Sequence, residues 1–505
     1  MITSKHCISS YSTLLTLLLV LTGPCHASDL LKADPHQDAI RDIERQLFGQ
    51  EVDYAECDFR HNSSFGSEPE VASDQDQEFA RESAVPWTFI VYIAADNDLR
   101  NFATRNIKQM LEVGSNKHIN IFAHVDIRIS RTEKITRRYF IEKNKITCVN
   151  SDDPSSQCMN SGDPKTLVSC CRYAIQHYPA RQYALVLWNH GTGPIDPGNP
   201  RIINPSELFV FNPNTCKLEL DRSIGFLELL CYDQASHRGC CWDDSTGQYL
   251  TNAKLESALQ EICGLLKGKK IDILAFDACL MANFEIACLV KNYVRIVVAS
   301  EEVELGTGWN YEKALSLFEK EQNQQALTPR AFATHLVQAY KDAYCDLTHD
   351  FTQSAMQLDD CGLLEANLDT LAQLLMNCLS LKQLKPDSVK SAIRASRHKH
   401  SCTHFHEPDY IDLYHFLQNL QENFKHVIFA DPAINKSMKE LLDRTVEEGK
   451  QLISKMVFAN KVGKNLEQAR GISIYFPERI IHPSYPPAPF AKNNWKNFLL
   501  RYLKS

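Results

Sequence analysis

The sequence predicts an α/β protein in which helices cover both faces of a largely parallel sheet. Short apolar segments, rich in β-branched and aromatic residues, are typical of strands that are buried on both sides. Between them lie amphipathic segments whose apolar residues repeat with the 3.6-residue period of a helix. Because the two kinds of segment alternate and their connections are short, we expect right-handed crossovers between parallel strands.

The composition describes an ordinary globular protein that is slightly acidic. The chain has 505 residues, of which 44% are hydrophobic and 23% are charged, and this length is about three times that of a typical domain. Acidic residues outnumber basic ones by 62 to 54, for a formal net charge of -8. This balance argues against a nucleic-acid partner, since phosphate binding needs clustered positive charge. It is compatible with a cationic substrate.

The N-terminus has the pattern of a secretory signal. Lys5 and His6 precede an apolar run at 11–21, which is too short to span a bilayer as a mature helix. Small residues follow near Ala27, so we predict a signal peptide over residues 1–27. The expected location is secreted or periplasmic, with no membrane attachment after the signal is removed.

The rest of the chain divides into three parts. Residues 28–85 have weak periodicity and include a polar stretch at 67–82, which predicts a pro-segment or linker. Residues 86–360 carry the alternating α/β pattern. Residues 361–505 are predicted to be mostly helical and to contribute a late strand at 471–477, which could return to the main sheet.

The individual elements follow from periodicity and capping residues. The first strand is predicted from Trp87 to Ala94, and the helix after it is capped by Asn97 or Asp98 and ends at Gly114. Further strands are predicted at 118–126, 183–189, 271–276 and 294–300, and further helices at 165–177, 252–266 and 282–290. Helices of the C-terminal part are predicted at 363–379, 409–423 and 434–457.

Two of these strands end in residues that can do chemistry. The strand at 183–189 leads into His190 and Gly191, and the strand at 271–276 leads into Asp277 and Cys279, just before a predicted helix. Since the carboxyl ends of parallel strands share one edge of a sheet, His190 and Cys279 could meet there. A helix N-terminus stabilises a thiolate, and an imidazole can accept its proton. The alternative is core packing, which is the commoner role of a cysteine after a strand.

Five segments resemble successive blocks of the clostripain family of cysteine peptidases, in the order in which the family has them. They are WTFIVYIAADNDL from Trp87, LVLWNHGTG from Leu185, DILAFDACLMANFEIA from Asp272, ASEEVELGTGWNY from Ala299 and GISIYFP from Gly471. The family belongs to the caspase-like clan, with legumain, gingipains and separase. The resemblance implies a caspase-like α/β/α sandwich and cysteine endopeptidase activity.

The same resemblance assigns roles to four residues. It implies His190 and Cys279 as the catalytic dyad and Asp277 as the floor of a pocket for Arg or Lys at P1. The backbone N–H groups of Gly191 and Cys279 could hold the oxyanion. Protein or peptide substrates with a basic P1 residue would pair with Asp277, and the alternative for Asp277 is a capping or structural role. Glu301, Glu302 and Glu304 could add negative potential or be solvated loop charges.

A long insertion at 194–239 separates the two dyad residues. The family keeps a connection there that is cut during activation, and long exposed loops are preferred sites of nicking. We predict self-cleavage after one of four basic residues, which gives two associated chains of one monomer. The four are Arg201, Lys217, Arg222 and Arg238. The alternative is a surface insertion that stays intact.

No cofactor or metal is required by the pattern. Four histidines and a cysteine alternate along one short segment, which could offer zinc or copper ligands but is more typical of a polar surface. They are His398, His400, Cys402, His404 and His406. Calcium dependence is left open by the family resemblance, since no contiguous calcium loop occurs. Two other functions compete with the peptidase: a catalytically silent binding protein on the same fold, and a metal-binding surface protein.

Overall fold

The structure is a computed structural model that describes most of the chain. The described residues are 44–45, 48, 50, 52–54, 85–130, 133–151, 153–196, 208–223, 239–319, 327–488 and 492–504. The predicted signal peptide at 1–27, the polar stretch at 67–82, Arg201 and Arg238 lie outside them.

The described part of the chain contains sixteen strands. In chain order they are β1 (Asp53–Tyr54), β2 (Val85–Ala95), β3 (Ile119–Arg128), β4 (Lys134–Glu142), β5 (Lys145–Cys148), β6 (Ala180–Trp188), β7 (Phe209–Asn212), β8 (Lys217–Leu220), β9 (Cys240–Asp243), β10 (Gln248–Leu250), β11 (Ile271–Asp277), β12 (Val294–Ala299), β13 (Thr352–Gln357), β14 (Tyr410–Asp412), β15 (Val457–Val462) and β16 (Ser473–Tyr475).

Ten of these strands form the central sheet, in the order β1-β5-β4-β3-β2-β6-β11-β12-β13-β15. Its middle is parallel, because β3, β2, β6, β11 and β12 all run the same way. Strand β4 on one side and strands β13 and β15 on the other pair antiparallel with their neighbours. The side chains of the middle strands are almost all buried, as expected of strands covered on both faces. The α/β fold with a largely parallel sheet is therefore confirmed.

Helices cover the sheet in two groups. The helices Pro164–His177 and Asn252–Leu265 pack on each other, and the helix Arg100–Val113 packs against Tyr311–Leu315, which in turn contacts Pro329–Tyr344. The remaining α-helices of the described residues are Phe284–Val290, Cys361–Ser380, Ser388–Arg397, Leu413–Phe424, Pro432–Met456 and Asn494–Lys504. Each of the predicted helices of the α/β part lies within a few residues of an observed one.

The C-terminal part joins the sheet through a strand other than the predicted one. The strand predicted at 471–477 is β16, which pairs antiparallel with β14 in a separate two-stranded sheet. The strand that reaches the main sheet is β15, which continues directly from the helix Pro432–Met456 and pairs with β13. All six residues of β15 are half-buried, and its sequence VFANKV has no apolar run. An edge strand of this kind carries little hydrophobic signal.

Residues of the predicted pro-segment form part of the sheet edge. Strand β1 pairs parallel with β5, and Phe48 packs edge-on against Tyr139 with ring centroids 5.4 Å apart. Glu44 is fully buried, accepts a hydrogen bond from the Tyr139 hydroxyl at 2.5 Å and pairs with the buried Arg137 at 3.3 Å. Burial of such a pair is tolerated because each charge neutralises the other.

We expect Glu44→Gln to lower the free energy of unfolding by about 3 kcal/mol, because it leaves the Arg137 guanidinium buried without its counter-charge. Denaturant unfolding of the full chain measures this loss. The matched control is Asp53→Asn, whose carboxylate pairs with Lys145 at 3.5 Å on the surface and whose loss should leave the free energy of unfolding nearly unchanged, because solvent screens an exposed pair. Equal stability losses in the two variants would contradict the prediction.

Candidate active site

The central sheet brings His190 and Cys279 to one cavity. They follow β6 and β11, which are adjacent parallel strands with Trp188 opposite Asp277 in the register. Both residues line a small, partly open cavity at the carboxyl edge of the sheet, and Asp277 and Glu304 also line it. The cavity therefore combines a thiol, an imidazole and two carboxyl groups.

Gly191 is required by the close approach of the two loops. A Cβ atom at this position would lie 2.4 Å from the carbonyl oxygen of Cys279 and 2.9 Å from Cγ of Met281. The neighbouring Asn189 fixes the loop, since its side chain donates to the Ala94 carbonyl at 2.6 Å and accepts from the Trp242 N–H at 2.9 Å. A larger residue at 191 would push the histidine and cysteine loops apart.

The cysteine loop does not begin a helix, contrary to the prediction. The helix starts at Phe284 and is capped by the Asn283 side chain, so Cys279 lies too far from its first turn to benefit from the helix dipole. The backbone instead reverses at Leu280, whose φ is +63°, and the Leu280 N–H donates to the Glu302 carbonyl at 3.2 Å. A non-glycine residue at positive φ is strained, so the surrounding contacts must hold this turn in place.

The surroundings of Cys279 favour the protonated thiol. The side chain is buried, and its Sγ accepts a hydrogen bond from the Glu304 N–H at 3.3 Å. Burial raises the pKa of Cys279 well above its ordinary value, and the acidic residues Glu304, Glu302 and Asp277 raise it further. The thiolate must therefore be generated by a base during reaction.

Asp98 contacts the imidazole of His190. The distance between Nε2 of His190 and Oδ1 of Asp98 is 2.8 Å. Because an ionised carboxylate only accepts hydrogen bonds, this contact puts the ring proton on Nε2 and leaves the lone pair on Nδ1. The sequence pattern indicated Asp98 only as a helix cap. The signal that could have identified it is its position just after β2, the strand next to β6.

Asp277 lines the cavity, and its carboxylate is held by two donors. Its carboxylate accepts from the Trp309 N–H at 3.1 Å and from the Tyr311 hydroxyl at 2.8 Å. A Cβ atom on Gly308, whose φ is +61°, would lie 2.9 Å from this carboxylate. Gly308, Trp309 and Tyr311 all belong to the block GTGWNY, which therefore forms the surroundings of the Asp277 carboxylate.

Asp277 and Glu304 form a buried pair of carboxyl groups. Burial raises the pKa of Asp277 to about 6, against the Trp309 and Tyr311 hydrogen bonds, which lower it. The pKa of Glu304 is raised well above its ordinary value, first by burial and then by the charge of Asp277. Since two buried carboxyl groups in one site do not ionise together readily, the pair favours a single negative charge, and the Trp309 and Tyr311 donors stabilise it on Asp277.

Two of the four candidate cleavage residues are described, and both make contacts. Lys217 lies in β8, which pairs with β7 as a hairpin inside the insertion, and its Nζ donates to the Cys345 carbonyl at 2.7 Å. Arg222 pairs with the buried carboxylates of Glu302 at 2.8 Å and Asp350 at 3.3 Å. Neither side chain is free to enter the cavity in this conformation.

Metal ligands do not converge in the described part of the chain. No group of three or more histidine, cysteine, aspartate or glutamate residues is arranged there to hold a metal ion. In the histidine segment, the two ring nitrogens of His404 face the carbonyl oxygens of Pro408 and Arg397 at 2.8 and 2.5 Å. These carbonyl contacts hold the ring within its own segment.

A cluster of acidic residues near β2 has a lysine at its centre. Nζ of Lys134 lies 3.1 Å from Asp126, 2.5 Å from Asp243 and 3.7 Å from Asp96. The ammonium group takes the position that a calcium ion would need, so these carboxylates do not fit calcium.

Comparisons with known proteins agree on one family. The model of the clostripain family matches residues 91–203 and 229–500. The curated clostripain of Hathewaya histolytica is 25% identical over 397 residues, which is 69% of either chain. A secreted C11 cysteine protease from Bacteroides thetaiotaomicron, solved in complex with an irreversible peptide inhibitor, superposes with a TM-score of 0.52 and 16% identity over 82% of this chain and 99% of that one. At this identity the superposition concerns the fold.

Proposed function

The chain belongs to the clostripain family of cysteine peptidases, and we propose that it cleaves peptide bonds after arginine or lysine with Cys279 as nucleophile and His190 as base. The observation that carries the proposal is the shared cavity, in which a buried thiol, an imidazole and an ionised carboxylate lie together. These three groups supply a nucleophile, a proton carrier and a binding site for a cationic side chain.

Hydrolysis takes two steps on this site. His190 accepts the proton of the Cys279 thiol through Nδ1, and the thiolate attacks the scissile carbonyl carbon. The oxyanion that forms is held by the N–H groups of Gly191 and Cys279. His190 then protonates the departing amine, which leaves a thioester on Cys279. A water molecule, deprotonated by His190, hydrolyses the thioester and restores the thiol.

Substrate choice follows from the floor of the cavity. An arginine or lysine side chain at P1 would reach the ionised carboxylate of Asp277, and arginine can pair with it through two hydrogen bonds. The Trp309 and Tyr311 donors orient the carboxylate. Protein and peptide substrates with a basic P1 residue are therefore the proposed partners.

The test is a peptide-library cleavage profile of the wild type beside Cys279→Ala, together with labelling by an arginyl chloromethyl ketone. We expect cleavage after arginine and lysine by the wild type alone, and covalent modification confined to Cys279. An unreactive Cys279 in fully matured protein would favour the silent binding protein instead.

Asp98 is proposed to position His190. We expect Asp98→Asn to lower kcat by at least about tenfold, since an amide can donate to the ring and stabilise the wrong tautomer. KM should change little, because Asp98 is not one of the residues that line the cavity. Steady-state kinetics measure kcat and KM separately, and Asp163→Asn is the matched control, because it makes the same substitution at the N-cap of the helix Pro164–His177, where asparagine also caps well. A wild-type kcat in Asp98→Asn would exclude the positioning role.

We propose that the chain cuts itself inside the insertion, after Arg201 or Arg238. Lys217 and Arg222 are the less suitable candidates, because their side chains are engaged in the contacts described above. Mass spectrometry of the wild type should find two chains that stay associated, whereas Cys279→Ala should remain intact. An uncut wild type with full activity, or the same cut in Cys279→Ala free of other proteases, would refute self-processing.

Export is proposed on the pattern of residues 1–27. A relative in the same family is described as secreted, which is consistent with this signal. Among the helices of the described residues, none has the length and apolar character that a membrane span needs.

A further inference from the structure

Arg222 connects the insertion to the loop that forms one wall of the catalytic cavity. Its Nη2 lies 2.8 Å from Oε2 of Glu302 and 3.3 Å from Oδ1 of Asp350. Both carboxylates are buried, with 0% and 3% of the residue exposed, while the guanidinium is partly exposed. A buried carboxylate is stable when a cation and hydrogen-bond donors neutralise it.

Glu302 is the centre of the loop that follows β12. Its other oxygen, Oε1, accepts from the N–H of Val303 at 2.9 Å and from the N–H of His406 at 2.8 Å. Its backbone N–H donates to the hydroxyl groups of Ser300 and Thr352, each at 3.1 Å. One carboxylate therefore joins this loop to the C-terminal part of the chain and, through Arg222, to the insertion.

The same loop contacts the nucleophile directly. The Glu302 carbonyl accepts from the N–H of Leu280, the strained residue after Cys279, and the next-but-one residue, Glu304, donates its N–H to Sγ of Cys279. A shift of the Glu302 side chain would move both contacts. Small displacements at a reacting group are costly for catalysis.

We propose that Arg222 is a positioning residue for peptide hydrolysis, holding Glu302 so that the loop after β12 keeps Cys279 in its reactive geometry. This inference rests on the proposed function of Cys279. It also gives the insertion a role in the active site: residues 208–223 must stay bound after any cut in the insertion. The backbone supports this, because the Leu218 N–H donates to the Leu347 carbonyl at 2.8 Å.

Loss of Arg222 would also change the charge near the thiol. The acidic residues that raise the pKa of Cys279 are Glu304, Glu302 and Asp277. Asp350 shares the Arg222 guanidinium with Glu302, and Glu301 precedes Glu302 in the sequence. His190 lines the same cavity as Cys279, and the His406 backbone N–H donates to the Glu302 carboxylate. Without the guanidinium, the uncompensated charge of Glu302 should raise the pKa of the thiol further.

The experiment compares Arg222→Met, Arg222→Lys and the double variant Arg222→Met with Glu302→Gln, all in the matured full-length protein. Arg295→Met is the matched control, because Arg295 pairs with Asp272 at 3.8 Å near the amino ends of the same strands. The readouts are kcat and KM on an arginyl peptide, and the pH dependence of Cys279 alkylation by iodoacetamide, followed by mass spectrometry of the labelled peptide.

We expect Arg222→Met to lower kcat by about tenfold with KM changed by less than about twofold, and to move Cys279 alkylation to higher pH. Arg222→Lys should retain part of the activity, and the double variant should recover part of it, because the unpaired charge of Glu302, which contacts the Cys279 loop, is removed while that of Asp350 remains. Arg295→Met should match the wild type.

Three results would overturn the inference: wild-type kcat and alkylation in Arg222→Met, the same loss in Arg295→Met, or a double variant no better than the single one. If Arg222→Met does not fold, the double variant and Arg222→Lys decide the question. If the wild type cleaves no peptide, the proposed function fails, and the pH dependence of alkylation still reports whether Arg222 acts on Cys279.

Discussion

Replacing His190 by alanine should lower kcat/KM for peptide hydrolysis by about 10⁴-fold at neutral pH. The reason is the state of Cys279, whose pKa is raised by burial and by the nearby acidic residues. The thiol of the resting protein is therefore protonated, and the imidazole has to remove the proton and later give one to the leaving amine. A cysteine with a low pKa could keep part of its activity without the histidine, whereas this one cannot.

The pH dependence of alkylation tests this reasoning in the same variant. In His190→Ala the thiolate fraction of Cys279 should rise about tenfold for each pH unit below its raised pKa. The rate of modification by iodoacetamide, measured on the Cys279 peptide by mass spectrometry, should follow that slope across the neutral and mildly alkaline range. His404→Ala is the matched control, since His404 lies in the histidine segment and contacts backbone carbonyls. Fast alkylation of Cys279 at neutral pH in His190→Ala would show that the thiolate forms without the imidazole.

The fold was predictable where strands are buried on both faces. Strand β11, predicted at 271–276 and observed at Ile271–Asp277, is continuous in its apolar character because both faces are covered by helices. The carboxyl ends of such strands must share one edge, so the juxtaposition of the His190 and Cys279 loops follows from the sheet alone. Strand β15 was missed, since a half-buried edge strand has no such pattern.

The contacts that tune the site could not be read from local sequence. Asp98 contacts His190, which lies 92 positions further along the sequence, and Arg222 contacts Glu302, which lies 80 positions further along. Each of these residues is ordinary in its own segment, where it resembles a cap or a loop charge. Their roles arise only when tertiary structure brings distant segments together. The start of the helix at Phe284 was missed for a local reason, because Leu280 adopts a backbone conformation that non-glycine residues seldom adopt.

Replacing Asp277 by asparagine should cost about a hundredfold in kcat/KM on substrates with arginine at P1, and much less on substrates with a neutral P1 residue. Asparagine keeps an oxygen that can accept from the Trp309 N–H and the Tyr311 hydroxyl, so the variant removes the charge and leaves the local hydrogen bonds. Asp277→Ala removes both the charge and these hydrogen bonds. It should lower kcat/KM on all substrates, and should lower it more on arginyl substrates than on neutral ones. Equal losses on arginyl and neutral substrates would make Asp277 a structural residue.

Glu304→Gln distinguishes the role of Glu304 in arginine binding from that of Asp277. Burial and the Asp277 charge raise the pKa of Glu304 well above its ordinary value, which favours the negative charge of the pair on Asp277, so replacing Glu304 should leave the preference for arginine intact. The pKa of Asp277 is raised to about 6, so the charge that binds arginine is present above that pH and is lost as the pH falls through it. The ratio of kcat/KM for arginyl and neutral substrates should therefore fall below about pH 6 in the wild type and stay flat in Asp277→Asn. A ratio that collapses in Glu304→Gln instead would assign the binding charge to Glu304.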